Sequence, residues 1–148
     1  MRLTRAQARA SALNSLLSMS HHRETVTAVG APQAAGPYSH AVKSGGLIFL
    51  SGQTPIDPDN GKLVEGDIGV QTKRCLDNLG VVAAAAGASL ADAVRCGIYV
   101  TDMATFKAVN EAYGGYFGDA PPARSTIGVA SLPLGADVEI DAILAVPD

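Results

Sequence analysis

The chain of 148 residues has no tryptophan, three phenylalanines, four tyrosines, two cysteines and a formal net charge of −3. So few aromatic side chains argue against a stacking platform for single-stranded nucleic acid, and the lack of excess positive charge argues against a surface for polyanions. No apolar run approaches the length of a membrane-spanning helix. We therefore expect neither nucleic acid nor a membrane as a partner, and a single domain by size.

The two cysteines, Cys75 and Cys96, are too few for a disulfide scaffold. Cys75 lies in a helical pattern and Cys96 in a strand pattern, so we expect two buried free thiols in a reducing compartment and hence a cytoplasmic protein. The three histidines have no metal-binding spacing with suitable acids, so no metal site is expected either.

The first 23 residues differ in composition from the rest of the chain. They contain four arginines, and no acidic residue precedes Glu24. This composition is typical of a transit peptide or of a short basic amphipathic helix. It is equally compatible with a start assigned upstream of the true one, because Met19 lies close to the point where a regular pattern begins. We interpret 1–23 as a dispensable extension, infer no organelle from it, and assign 24–148 to one domain.

Sixteen glycines and eight prolines separate the apolar runs of that domain and indicate many turns. Helical spacing predicts one helix between an Asp67 cap and Gly87, and a second helix after Asp102 and Thr105. The β-branched runs predict strands over 25–29, 41–43, 47–51, 94–100, 125–130 and 138–146. This order favours an α+β domain with two helices packed on one face of a mixed β-sheet. Because the last strand is apolar on both sides, the other face of the sheet also needs a cover.

The last third of the chain places two charges in apolar surroundings. Arg124 follows a proline turn at the start of one β-branched run, and Glu139 lies inside the next run. A charge in such a place must be paired, hydrogen-bonded or directed into a wet cavity. If the two runs pair as neighbouring strands, both charges can reach one pocket for a small carboxylate and a water. The alternative is a structural salt bridge from Arg124 to Glu139 or Asp141, and Asp141 itself is interpreted as structural or exposed.

Five short motifs resemble, in order, those of the RidA/YjgF family of reactive-intermediate (enamine/imine) deaminases, over roughly residues 25 to 146. The motifs are Ala35-Gly36-Pro37-Tyr38-Ser39-His40-Ala41-Val42, Leu50-Ser51-Gly52-Gln53, Leu76-Asp77-Asn78-Leu79, Val109-Asn110-Glu111-Ala112-Tyr113, and Pro122-Ala123-Arg124-Ser125 with Val138-Glu139-Ile140. The resemblance implies the family's chorismate-mutase-like fold and a homotrimer with pockets between subunits.

The resemblance also implies roles for individual residues. Arg124 would hold the substrate carboxylate, and Glu139 would position and polarise the attacking water. The remaining substrate-binding residues would be Tyr38, Ser51, Gly52, Asn110 and Thr126. Taken alone, Ser51 is an ordinary strand-terminating serine and Asn110 an ordinary helix asparagine. Thr126 is a departure, since many family members carry cysteine there, although its backbone carbonyl can still hold a water.

By this resemblance the chain is a cofactor-independent hydrolase that converts 2-imino acids to 2-oxo acids and ammonia. Such imines arise from enamines that pyridoxal-phosphate dehydratases release from threonine or serine, which implies 2-iminobutanoate and 2-iminopropanoate as substrates. The alternative from another class is a non-catalytic trimer that binds 2-oxo acids or related metabolites as a sensor. A third possibility, endoribonuclease activity, has the least support, because the chain is acidic and poor in aromatic residues.

Overall fold

A computed structural model describes residues 4–19 and 22–148. In that part of the chain, three helices and six strands follow one another in an α+β arrangement. The elements are α1 (Arg5–Met19), β1 (Arg23–Val26), β2 (Ala41–Ser44), β3 (Leu47–Gln53), α2 (Ile68–Ala85), β4 (Ala93–Val100), α3 (Phe106–Gly114), β5 (Ala123–Gly128) and β6 (Val138–Ala145). The expected fold class, a mixed sheet with two helices on one face, is confirmed.

The six strands form one sheet in the order β1-β2-β3-β6-β4-β5. All neighbours are antiparallel except β4 and β5, which are parallel and are connected through α3. The condition under which Arg124 and Glu139 would share a pocket, that their two strands pair as neighbours, is not met. The preceding strand β4 lies between β5 and β6, because a parallel β4–α3–β5 crossover places β5 on the outer side of β4.

Local signals explain where the main elements begin and end. The side chain of Asp67 accepts a hydrogen bond from the backbone N–H of Val70 and caps α2. Gly87, with φ of +81°, follows the other end of α2 in a conformation that glycine adopts without strain. The turn between β2 and β3 uses Gly45 and Gly46, both with positive φ, as the hairpin prediction requires.

One face of the sheet packs against α2 and α3 and forms the hydrophobic core. Along β6, alternate side chains are buried, and Leu76, Leu79 and Val82 of α2 are completely inaccessible to solvent on the other side of this interface. Both cysteines are buried here as free thiols, and burial raises the pKa of the Cys75 thiol far above its usual range. This packing supplies the main stabilisation of the domain.

The opposite, open face of the sheet has no covering element among the described residues. Register places Phe49 beside Ile143 on this face and Ile127 beside Tyr99. Phe49 is 43% exposed and Ile127, on the edge strand β5, is 49% exposed, so this face presents large apolar side chains to solvent. The expectation of a sheet that is apolar on both faces is therefore confirmed.

The predicted boundaries shift at the first and fifth strands. β1 is Arg23–Val26 rather than 25–29, and β5 is Ala123–Gly128 rather than 125–130. In β5 the parallel ladder to β4 already begins at Ala123, immediately after the proline pair, so Arg124 lies within the strand rather than before it.

Part of the extension forms a helix of its own. The described side chains of α1 are exposed, and the first strand of the sheet, β1, follows it along the chain and begins at Arg23. The rest of the extension at 1–3 and 20–21 lies outside the described residues. No helix in the described ranges is long and apolar enough to cross a bilayer.

Candidate active site

Arg124 lies on the helix-covered side of the sheet. In the ladder, Cys96 of β4 is opposite both Arg124 of β5 and Ala142 of β6, and Ala142 is buried against the helices. Residues opposite one another share a face of the sheet, so Arg124 projects toward α3. Its Nη2 donates a 2.7 Å hydrogen bond to the Oδ1 of Asn110, at the edge of the core.

Two aromatic rings of α3 flank the same guanidinium. Its Cζ atom lies 4.8 Å from the ring centroid of Tyr113 and 5.8 Å from that of Phe106, both within the range of cation–π attraction. No carboxylate lies within ion-pair distance of Arg124 in the described part of the chain. The salt-bridge alternative for Arg124 is therefore wrong. Most of its N–H groups stay available for a planar anion.

Two hydroxyl groups near this arginine have no internal partner. The Oγ1 of Thr126, two residues along β5, and the hydroxyl of Tyr113 are both buried and without a hydrogen bond. Burial is the main cause that raises the pKa of the Tyr113 phenol above its usual range. A buried hydroxyl without a partner is costly, and the Thr126 hydroxyl lies on the same face of β5 as Arg124.

Glu139 belongs to the open face of the sheet, because it lies opposite Tyr99 and alternates with buried neighbours along β6. It lines a cavity of about 290 Å³ that also includes Tyr38, Ser51 and Gly52. Burial, and secondarily the negative charge of Asp141, raise the pKa of the Glu139 carboxyl above its usual range. A carboxyl with a raised pKa beside a cavity is a candidate general base.

Asp141, the next acid on this face, has a structural role, as expected. Its two carboxylate oxygens accept hydrogen bonds from the backbone N–H of Gly97 at 3.0 Å and from the Tyr99 hydroxyl at 2.9 Å. Asp141 is thereby fixed across β4 and β6 and does not line the cavity.

The loop before β2 closes one side of the cavity and is tied to β3. The Ser51 hydroxyl donates a 2.7 Å hydrogen bond to the Ser39 carbonyl oxygen. The buried ring of His40 accepts from the Ala28 N–H at Nδ1 and donates to the Pro32 carbonyl at Nε2. These bonds fix the loop that presents the half-exposed Tyr38 to the cavity.

Gly52 is required for the position of the Glu139 carboxylate. A Cβ atom at Gly52 would overlap the Oε1 of Glu139 and also approach its Cδ and Cγ. The carboxylate therefore lies directly against the backbone of β3, where only glycine leaves room.

The predicted site residues thus form two half-sites within one chain. The arginine half-site contains Arg124, Asn110 and Thr126 on the helix-covered face. The carboxylate half-site contains Tyr38, Ser51, Gly52 and Glu139 around the cavity of the open face. Arg124 and Glu139 do not reach one pocket within a single chain, because β4 lies between their strands and the two side chains project from opposite faces.

Comparison with known proteins shows which family has this sequence and fold. The model of the Endoribonuclease L-PSP family, the family also known as RidA/YjgF, matches residues 28–146. Protein DfrA of Myxococcus xanthus is 49% identical over 123 residues, which are 82% of this chain and 94% of that protein. Reactive Intermediate Deaminase A, chloroplastic, of Arabidopsis thaliana is 43% identical over 129 residues, 87% of this chain and 69% of that protein.

The chain belongs to the RidA/YjgF family. The crystal structure of E. coli TdcF with bound serine has a TM-score of 0.78 and 34% identity, and the match covers 82% of this chain and 98% of TdcF. The predicted membership is therefore confirmed at the level of sequence and of fold.

Sequence reasoning missed several residues that this RidA-family chain places at the half-sites. The helical pattern after Thr105 predicted the helix that carries Phe106 and Tyr113, but not their contact with Arg124. Their spacing from Asn110 puts all three on one side of α3, and that was the available signal. Gln53 and Leu134 also line the cavity. Leu134 has a φ of +61°, a backbone conformation that no sequence pattern predicted.

Proposed function

We propose that this protein is a cofactor-independent hydrolase of 2-imino acids, with each active site formed between two subunits of a homotrimer. Arg124, Asn110 and Thr126 come from one subunit, and Tyr38, Ser51, Gly52 and Glu139 come from the next. The observation that carries the proposal is the arginine half-site, where a partly buried guanidinium has one hydrogen bond and no carboxylate partner among the described residues. Such a group is suited to grip a substrate carboxylate through two parallel hydrogen bonds.

The open face of the sheet supports the assembly. An acid beside a cavity and exposed apolar side chains such as Phe49 and Ile127 share this face. Exposed apolar area of this kind is typical of an interface between subunits. A neighbouring copy that covers the face would exclude water and supply the arginine that the cavity lacks. Within one subunit neither half-site can both hold a carboxylate and activate a water.

The chemistry needs only binding and one oriented water. A protonated imine carbon is already a good electrophile. Arg124 would hold the substrate carboxylate, and Glu139 would accept a proton from the water as its oxygen bonds to the imine carbon. Glu139 returns that proton to the nitrogen of the resulting carbinolamine, and the C–N bond breaks to release ammonia. The hydroxyl proton passes to Glu139 as the C=O bond forms, which leaves the 2-oxo acid, and the released ammonia or solvent then takes this proton. Positioning a water against an activated carbon supplies much of the required acceleration.

The raised pKa of Glu139 supports this role. A base whose pKa lies closer to neutrality accepts the water proton more readily and can return it to the departing nitrogen. The unpartnered Thr126 hydroxyl lies on the same face of β5 as Arg124 and would add a hydrogen-bonding group there after its side chain turns toward the substrate, and the Thr126 carbonyl would hold the water. No resident cofactor is required in this scheme.

Relatives support the class of substrate. The Arabidopsis relative carries the name Reactive Intermediate Deaminase A, and the TdcF structure contains an amino acid. We propose 2-iminobutanoate and 2-iminopropanoate, which are formed after dehydration of threonine and serine, as substrates of this chain.

A coupled assay tests the proposal. A purified threonine dehydratase generates 2-iminobutanoate, and loss of the imine is followed with and without this protein. We expect acceleration that falls by at least about a hundredfold in Arg124→Ala, because the carboxylate loses its charged partner. The matched control is Arg23→Ala, which removes an exposed arginine of β1. Normal hydrolysis by a folded Arg124→Ala variant would contradict the assignment.

The sensor alternative uses the same two half-sites, and the same assay distinguishes it from the enzyme hypothesis. Binding of 2-oxobutanoate by the wild type without acceleration of imine loss would favour a metabolite-binding trimer. The family model carries the name of a ribonuclease, so a labelled single-stranded RNA belongs in the same experiment. The net charge of −3 gives polyanion binding little electrostatic support.

For location, we propose the cytoplasm. The Arabidopsis relative is named chloroplastic, and the arginine-containing extension is the segment that could redirect this chain. Fluorescent fusions of the full chain and of 24–148 would test this proposal in the native cell. The same location for both fusions is expected, and an organelle location that requires 1–23 would contradict it.

A further inference from the structure

One side of α3 contacts the guanidinium of Arg124 through three side chains. Phe106, Asn110 and Tyr113 are spaced four and then three residues apart, so they lie on one side of the helix. The amide oxygen of Asn110 accepts a 2.7 Å hydrogen bond from Nη2, and the Tyr113 centroid lies 4.8 Å from Cζ. The Phe106 centroid is more distant, at 5.8 Å. Tyr113 is therefore the main aromatic partner of the cation.

We propose that Tyr113 is a positioning residue whose ring, and not its hydroxyl, holds the guanidinium of Arg124 in the orientation that binds a carboxylate. The inference rests on the proposed function in so far as Arg124 binds the substrate. The packing of Tyr113 against Arg124 is independent of any substrate, and it can be measured separately.

The hydroxyl of Tyr113 does not account for its position. Only 5% of the residue is exposed, and the hydroxyl oxygen forms no hydrogen bond of ordinary geometry among the described residues, although burial and then the neighbouring Cys96 thiol raise the pKa of the phenol. A tyrosine retained for its hydroxyl would normally satisfy it when buried. The aromatic ring, rather than the hydroxyl, makes the contacts of this side chain. It contacts the Arg124 cation, and it forms a tilted pair with Phe117 at a centroid distance of 4.5 Å.

The two contacts of Arg124 are complementary. A single hydrogen bond to Asn110 fixes one end of the guanidinium but leaves its plane free to turn. A ring beneath the guanidinium restricts that rotation and leaves the remaining N–H groups available for a carboxylate. Pre-orientation of this kind lowers the entropic cost of binding. Loss of a partly desolvated cation–π contact weakens binding on the order of tenfold.

Three variants of the full chain test the proposal. Tyr113→Phe keeps the ring and removes the hydroxyl, and Tyr113→Leu removes the ring. Pentafluorophenylalanine at position 113 keeps the shape but reverses the charge distribution of the ring, so it remains informative if Tyr113→Leu does not fold. Phe117→Leu is the matched control, because it removes the aromatic partner of Tyr113 and leaves the Tyr113 ring itself in place.

Two readouts separate positioning from structure. The first is the Nε–H resonance of Arg124 in the ligand-free protein, which senses the ring current of Tyr113 and the rotation of the guanidinium. The second is the dissociation constant of 2-oxobutanoate, together with kcat and KM for 2-iminobutanoate. We expect wild-type values for Tyr113→Phe and Phe117→Leu in both readouts. The ring-less and the pentafluoro variants should show a shifted resonance and about tenfold weaker binding with a raised KM.

An unchanged Arg124 resonance and unchanged 2-oxobutanoate binding in the pentafluoro variant would overturn the proposal. Loss of binding in Tyr113→Phe would also overturn it, because the hydroxyl would then be the group in use. If the wild type neither hydrolyses the imine nor binds 2-oxobutanoate, the proposed function fails, while the resonance still decides whether Tyr113 orients Arg124.

Discussion

The face of the sheet beneath α2 and α3 is filled by side chains such as Ile98, Ile140 and Leu144 that are completely buried within one chain. The open face carries Phe49, which is 43% exposed, and the half-buried Ile143 beside it. Each face also carries one half of the proposed site, with Arg124 on the first and Glu139 on the second. One subunit can therefore stabilise its own core, whereas we propose that its chemistry depends on a second subunit that covers the open face.

The largest expected effect distinguishes the two faces by stability. Ile140→Ala removes a fully buried side chain of the core and should lower the free energy of unfolding by about 2–5 kcal/mol. Ile143→Ala, three residues later on the open face, should leave the subunit folded and weaken the assembly instead. Its melting temperature should then depend strongly on protein concentration. Thermal unfolding at several protein concentrations measures the loss of stability and the concentration dependence of the melting temperature. If the two variants changed both quantities alike, the two faces would not differ as proposed.

A smaller effect is expected at the carboxylate half-site. Gly52→Ala places a Cβ atom where the Glu139 carboxylate lies, so the carboxylate must move. Displacement of a catalytic group by about 1 Å can lower kcat/KM on the order of a hundredfold. Gly80→Ala is the matched control, because a Cβ there meets no atom within 4 Å. Full activity in Gly52→Ala, with a circular dichroism spectrum like that of the wild type, would show that the position of Glu139 does not matter.

The smallest expected effect is on the pH dependence. Burial and then the charge of Asp141 raise the pKa of Glu139, so Asp141→Asn should lower that pKa by removing the second cause. The ionised base then persists to lower pH, and the acidic limb of kcat/KM should move to lower pH. Asp119→Asn, an exposed acid, is the control. A limb that stays in place or moves to higher pH would argue against Glu139 as the base.

Periodicity and turn residues predicted most of the fold. The Asp67 cap, the glycine hairpin turn and the alternation along β6 are local consequences of residue chemistry and were correct. Strand order was not predictable in the same way, because nothing in the residues of β5 or β6 records that β4 lies between them. The intervening strand separates Arg124 from Glu139, and the register of the ladders places the two side chains on opposite faces of the sheet.

The motifs predicted which residues belong to the candidate site, but not how these residues are arranged in space. The resemblance named residues of both half-sites, and the burial of charge near Arg124 and Glu139 was visible as an energetic problem. How the arginine is held depends on helix packing, which brings Phe106 and Tyr113 against the guanidinium. A cation–π contact leaves no distinct pattern in sequence, so the spacing of these two aromatic residues did not predict it.

The most direct test of a site shared between subunits is complementation between two inactive variants. Arg124→Ala and Glu139→Gln are each inactive by this account, and they are coexpressed, purified together and assayed for hydrolysis of 2-iminobutanoate. With random assembly, roughly a quarter of the interfaces should pair an intact Arg124 with an intact Glu139, which predicts about a quarter of wild-type activity. Coexpression of Arg124→Ala with the double variant Arg124→Ala/Glu139→Gln provides the background. A mixture no more active than that background would contradict the shared site.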